Sequence, residues 1–268
     1  MAQETFRFSI GIHSAKSSAA LRDKARRLED FGFDGIHLPD HLGAPAPFPV
    51  LTAVAAATST VRLGTYVLNA GFYKPALLAR DAAAVNDLSD GRLELGLGAG
   101  YVREEFEAAE LPYPSAGQRV DHLEHVTTYL KEHHPSIPIL IAGNGNRLLT
   151  VAAQHADIVG LTGANNALAE RVEFVRAAAG DRFADLELNL AITAVPSDNS
   201  GKPDLAMTRR YAPDLSDEQL LALPSVLSGS PREIADTLRG YRETFGLTSV
   251  TVQEHHAETV AKVIAEFR

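Results

Sequence analysis

No cysteine occurs in the 268 residues. That excludes disulfides, thiolate metal sites and a cysteine nucleophile. No Lys/Arg cluster stands out, and with a formal net charge of −9 nucleic acid is a poor partner. No apolar run is long enough to cross a bilayer, so no membrane is expected. The opening Met-Ala-Gln-Glu-Thr-Phe-Arg lacks the apolar core of a signal peptide, which makes a cytoplasmic protein the default expectation. Several catalytic signatures are also missing: G-x-S-x-G, a Walker A run and the H-E-x-x-H order.

What remains is ordinary in bulk, 45% hydrophobic and 22% charged, and highly ordered in pattern. Phe6, Phe8, Ile10 and Ile12 alternate with Arg7, Ser9 and Gly11, which predicts a first strand. Further strands are expected at 33–38, 61–68, 92–97, 137–142, 157–161, 186–195 and 249–253. Helical periodicity falls between them, with a helix at 51–58 and capping boxes at Ser115/Gln118 and Ser230/Glu233. His133 and His134 read as a solvated connecting loop, and 196–229 as irregular apart from a helical patch at 217–223. Eight β/α units in this length predict one α/β domain over residues 1–268, a (β/α)₈ TIM barrel.

In such a barrel the C-terminal strand ends share one face, where active sites form. The residues collected there are His13, Asp40, His41, Asn69, Gly98 to Tyr101, Gly143 to Asn146, Thr162, Gly163, Gln253, Glu254 and His255. Asp40-His41 is the sharpest pair, because a carboxylate beside an imidazole fixes its tautomer and suits proton transfer near neutral pH. The alternative is a strand-end Asp that caps the next loop, beside an exposed histidine. Gly96, Gly98 and Gly100 read equally as a ligand cradle or as a strand end that needs close packing. Gly143-Asn-Gly-Asn146 is either a tight turn with Asn146 as N-cap or a phosphate-receiving helix N-terminus. His13, Asp40 and His255 could supply three metal ligands, but their spacing follows no metal motif, and no metal is expected.

Gly35-Ile-His-Leu-Pro-Asp-His41, Arg62-Leu-Gly-Thr-Tyr-Val-Leu-Asn69, Leu88 to Tyr101, Pro138 to Asn146 and Gly229 to Ala235 together resemble the luciferase-like superfamily. The likeness is to its branch of oxidoreductases using the deazaflavin coenzyme F420. It implies hydride transfer between F420 and a small or larger organic substrate, with His41 and Asp40 assisting proton transfer. An FMN-dependent monooxygenase and a catalytically silent flavin- or deazaflavin-binding barrel are the alternatives, and a homodimer is a further expectation. The resemblance also implies a coenzyme ring against Tyr66, Val67 and Asn69, with a non-proline cis peptide at Tyr66–Val67. Gly98, Ala99, Gly100, Tyr101, Ala142, Gly143, Asn144, Gly145 and Asn146 would receive the ribityl and phosphate parts, beside Thr162 and Gly163. Two departures stand out. Tyr101 occupies a position where some relatives carry a catalytic glutamate, while Glu104 and Glu105 read as first-turn helix residues. The insertion that usually precedes the fifth strand is shortened, which leaves 196–229, with Arg209, Arg210 and Tyr211, to cover the site.

Overall fold

The computed structural model describes residues 6–14, 16–162 and 167–268. Its strands are β1 (Arg7–Gly11), β2 (Gly35–Leu38), β3 (Arg62–Thr65), β4 (Leu68–Asn69) and β5 (Leu93–Gly98). They continue as β6 (Ile139–Ala142), β7 (Ile158–Thr162), β8 (Glu187–Ala191) and β9 (Leu247–Gln253). The order β3-β2-β1-β9-β8-β7-β6-β5-β4 is closed by a β3–β5 pairing, and all pairings are parallel. β3 and β4 are two halves of one barrel position, so the predicted third strand is broken at a cis Tyr66–Val67 bond. The result is an eight-position closed barrel with helices between strands, as the β/α alternation predicts.

Period-two alternation has a specific meaning here. Arg7 on β1 bonds Glu94 on β5 at 2.7 Å and Glu187 on β8 at 2.9 Å. Neither strand neighbours β1, so these bonds cross the barrel lumen. Arg7, Glu94 and Glu187 therefore face inward, while Phe8, Leu93 and Leu95 on alternate positions join the buried apolar layer beneath the helices. His37 Nε2 lies 3.6 Å from Glu94 Oε1 in the same lumen. Outside, Phe6 and Phe8 pack on Phe267 with ring centroids 5.2 Å apart, tying the C-terminal end to β1.

Several boundaries move for local reasons. The helix expected at 51–58 runs over Pro47–Ala55, because proline in a first turn has no N–H to lose. His133 closes helix Ala116–His133 and stacks on Tyr129 at 3.9 Å, exposed as expected but helical and not in the loop. The seventh predicted strand stops at Ala191; beyond it Thr193 N–H donates to Ser225 O, so this stretch turns to the segment that follows. That segment holds two short helices, Ala206–Tyr211 and Asp217–Leu221, the first of them unforeseen.

Two carboxylates make stability depend on acid. Burial by itself would raise Glu94, but His37 and Arg7 hold it down, to about 2. Glu29 is likewise raised by burial, and the N–H groups of Thr60, Val61 and Ser59 together with the Thr60 hydroxyl outweigh that, to about 2. Each binds its proton less readily in the folded chain than at its ordinary 4.5. Their contribution is complete above that ordinary value and is lost as pH falls from it toward about 2. Glu94→Gln should cost about 1–3 kcal/mol at neutral pH, since it leaves the half-buried Arg7 with Glu187 as its one carboxylate partner among the described residues. Urea unfolding should show that deficit shrinking as the pH is lowered through this window; a deficit independent of pH would remove Glu94 from the acid response.

Candidate functional site

The broken third strand sets the geometry of the barrel mouth. A Cβ on Gly96 would stand 1.9 Å from the Thr65 carbonyl oxygen, one on Gly98 2.7 Å from Val67 Cγ2, and one on Gly100 2.1 Å from Asn69 Oδ1. The glycines at every second position of β5 and its exit thus clear room for the 65–69 segment. Thr65 Oγ1 completes the contact, donating to Gly96 O at 2.7 Å and accepting from Gly96 N at 3.0 Å. Of the two readings of the glycine run, close packing is what the backbone displays at these three positions.

Asn69, 6% exposed, is engaged within the protein. Its N–H donates to Asp40 Oδ2 at 3.1 Å, and its Oδ1 accepts from Gly71 N at 3.0 Å. Asp40 also accepts from the Tyr73 hydroxyl; burial raises its pKa against these bonds and against His41. The carboxylate adjacent in sequence to His41 is therefore committed to the loop after β4. The imidazole has another partner: His41 Nδ1 lies 2.9 Å from Glu105 Oε1. A carboxylate accepts, so Nδ1–H donates and Nε2 is left free on a side chain 47% exposed.

Glu105 is a residue that sequence reading passed over. It does occupy the first turn of helix Arg103–Ala108, as expected. Yet its side chain also reaches across 64 positions to His41. Only the closed barrel, which sets the exits of β2 and β5 on one face, brings them together. Tyr101 is 73% exposed; partial desolvation, Tyr211 and Glu105 raise its hydroxyl pKa. Tyr211, from the segment after β8, is thus near enough to Tyr101 to act on it electrostatically.

At the exits of β6 and β7, Thr162 Oγ1 donates to Asn144 Oδ1. Ala142 packs where a Cβ on Gly160 would fall, 2.6 Å from its own. Gly163 lies outside the described residues. Helix Asn146–His155 starts from Gly145 as N-cap, not from Asn146, and no side chain caps it. Asn146 Oδ1 instead accepts from Arg171 Nη1 at 2.6 Å. Gly143 is packed on Leu148, whereas a Cβ on Gly145 would meet nothing within 4 Å. The helices begun by Ser115, Ser216 and Ser230 all carry full capping boxes. Among the described residues, no side chain accepts from the first N–H groups of the helix at the barrel mouth. His13 and Asp40 do not converge, since His13 Nε2 pairs with Gln253 Oε1 at 2.8 Å.

The architecture is a closed parallel β/α barrel with polar groups gathered at the strand exits. Two solved structures share that fold. An F420-dependent secondary alcohol dehydrogenase in complex with an F420-acetone adduct superposes with TM-score 0.80 at 15% identity, covering 98% of this chain and 99% of that one. The coenzyme F420 dependent tetrahydromethanopterin reductase from Methanopyrus kandleri gives 0.77 at 17% identity, covering 98% and 100%. By sequence, residues 5–132 match the family model described as luciferase-like monooxygenase. The 5,10-methylenetetrahydromethanopterin reductase of Archaeoglobus fulgidus is 30% identical over 149 residues, 48% of this chain and 45% of that protein. An F420-dependent glucose-6-phosphate dehydrogenase of Amycolatopsis mediterranei is 32% identical over 121 residues, 42% of this chain and 36% of that protein. The matched stretches span less than half of either relative's length. The likeness to the luciferase-like family model lies in residues 5–132, just under half of the chain.

Gly96→Ala drives a methyl into a backbone carbonyl, with no flexible neighbour to yield, and should cost about 3 kcal/mol or more. Gly145→Ala enters open space and should unfold in urea with the native midpoint. Equal midpoints for the two variants would contradict the packing role given to Gly96.

Proposed function

We propose that this chain is an F420-dependent oxidoreductase, working as one barrel domain on an organic substrate. The observation that carries the reading is the His41–Glu105 hydrogen bond at the exposed barrel mouth. The F420 named for the Amycolatopsis mediterranei relative and for both structural neighbours above gives it direction; the archaeal reductase, matched in sequence, acts on a pterin by its name. The residues fit a coenzyme that carries phosphate: an uncapped helix N-terminus with open space at Gly145 offers backbone N–H donors and the positive end of a helix dipole.

When bound, F420 supplies the two-electron chemistry, accepting or donating a hydride. The chain's own residues do the rest. Asn146, Arg147 and Leu148 N–H groups hold the phosphate part, beside the Asn144–Thr162 pair. Glu105 fixes the tautomer of His41 by accepting from Nδ1–H, and Nε2 then takes or returns the substrate proton. Asp40 acts one step back: through Asn69 N–H and the Tyr73 hydroxyl it fixes the loop that flanks His41. The glutamate absent at position 101 is thus replaced in function by a carboxylate one helical turn further on.

Titrating the protein with F420 and separately with FMN, by fluorescence, should give saturable binding of F420. Saturation with FMN alone would favour the monooxygenase reading that the family description suggests. Gly145→Asp would cap the helix with a carboxylate in place of the phosphate; F420 affinity should fall about tenfold or more while the urea midpoint holds.

His41→Ala should lower kcat by about 10²–10⁴-fold with little change in F420 affinity. Glu105→Gln should lower kcat by about tenfold or more, and the ¹⁵N signals of His41 should move from one tautomer toward a mixture. An unchanged tautomer in Glu105→Gln would separate Glu105 from His41 even if turnover fell.

A further inference from the structure

The segment 192–230 forms a strap after β8, at the C-terminal face of the barrel. Its base is fixed: buried Thr208 shares a 2.8 Å hydrogen bond with Thr193, whose hydroxyl also bonds Ser225. Ala194, Leu220, Leu223 and Val226 form a small second core, with Leu205, Ala212 and Leu215 packed on it. From this base, helix Ala206–Tyr211 reaches two places. Tyr211 acts electrostatically on Tyr101, at the exit of β5. Met207, Arg210 and Tyr211 share a half-enclosed cavity of about 320 Å³ with His255, just past the end of β9. Counted either way round the eight positions, β5 and β9 are four apart. They stand on opposite sides of the barrel, and the helix forms its cavity on the β9 side.

The two arginines on this helix differ. Arg209 is spoken for, pairing with Asp217 and donating to Leu215 O at 3.2 Å. Arg210 has no hydrogen bond or ion pair among the described residues, although it lines the cavity. Asp204 lines it too, but its Oδ1 accepts from Ala206 N–H at 2.9 Å and it makes no ion pair with Arg210. Behind His255, the ring of His256 is buried 3.9 Å away. Burial and the neighbouring His255 lower the pKa of His256 to about 4 against the pull of Asp204, so it adds no charge at neutral pH. The cavity thus offers one uncommitted guanidinium, flanked by a phenol and an imidazole, over the apolar side chain of Met207. A guanidinium in this state is matched by a planar carboxylate or a phosphate, which accept two of its N–H groups at once.

We propose that the Arg210 cavity binds the anionic group of the substrate, so that the substrate class is an organic carboxylate or phosphate. The inference rests on the oxidoreductase reading for the word substrate, but the binding site stands without it. Its test therefore uses the coenzyme-free protein. Inorganic phosphate and acetate are titrated separately while the side-chain Nε–H signal of Arg210 and the ring signals of Tyr211 are followed by NMR. A saturable shift with either anion is expected, the tighter of the two marking the group. On the Tyr211 signals, Arg210→Gln should weaken binding about tenfold or more, and Arg209→Gln should bind like the native chain. No saturable shift in the native chain, or equal weakening in both variants, overturns the proposal. Because no F420 is present, either result is independent of whether that coenzyme binds.

Discussion

Thr65 and Gly96 meet more closely than any side chain at position 96 would permit, and the barrel mouth is arranged from that contact outward. The Thr65 hydroxyl accepts the Gly96 N–H and donates to its carbonyl, clamping the end of β3 to β5. The chain then passes the Tyr66–Val67 bond and resumes pairing with β5 at Leu68 and Asn69. Asn69 spends its N–H on Asp40 and its side chain on Gly71, and it packs against Gly100. The exits of β2, β4 and β5 are interlocked as a result. His41 and Glu105 stand on two of those exits, which is how side chains far apart in sequence come within a hydrogen bond.

The lumen and the mouth divide their work. Deep in the barrel, Arg7 ties three strands together through Glu94 and Glu187, and His37 adds a partial charge partner. A buried ion pair of this kind is weak as a net source of stability, because desolvation offsets much of the attraction, but breaking it is costly. It specifies register: an arginine on β1 finds its carboxylates only if β5 and β8 stand at the right height. At the mouth the polar groups are partly exposed and incompletely partnered, as His41 Nε2, Arg210 and the first turn of helix Asn146–His155 show. Groups left in that condition are what a ligand needs.

The cover over the site follows from chain length. Only five residues, 134–138, separate helix Ala116–His133 from β6. Nothing there can reach over the mouth. The stretch from 192 to 230 follows β8 at the C-terminal face, stabilised by its own small apolar core and by the Thr193–Thr208 bond. Hence the strand predicted to continue to Val195 ends at Ala191, where the next residues bond to the strap instead.

How much of this was legible beforehand depends on the range of the interaction. Alternation in Leu93, Leu95 and Leu97, the Ser115 and Ser230 capping boxes, and Gly246 past a helix end are local rules, and they yielded the eight β/α units and their order. The break after Thr65, and the roll of candidates at the strand exits, came from resemblance and from the barrel rule that strand ends share a face. What the residues alone determined was therefore the architecture and the neighbourhood of the site. Tertiary structure decided the partners: Glu105 and not Asp40 for His41, neighbouring backbone and side chains against the glycines of β5, Arg210 left unpaired beside a paired Arg209. Propensity and periodicity act between residues a turn or a pleat apart, whereas a hydrogen bond or an ion pair is settled by distances that exist only once the barrel has closed.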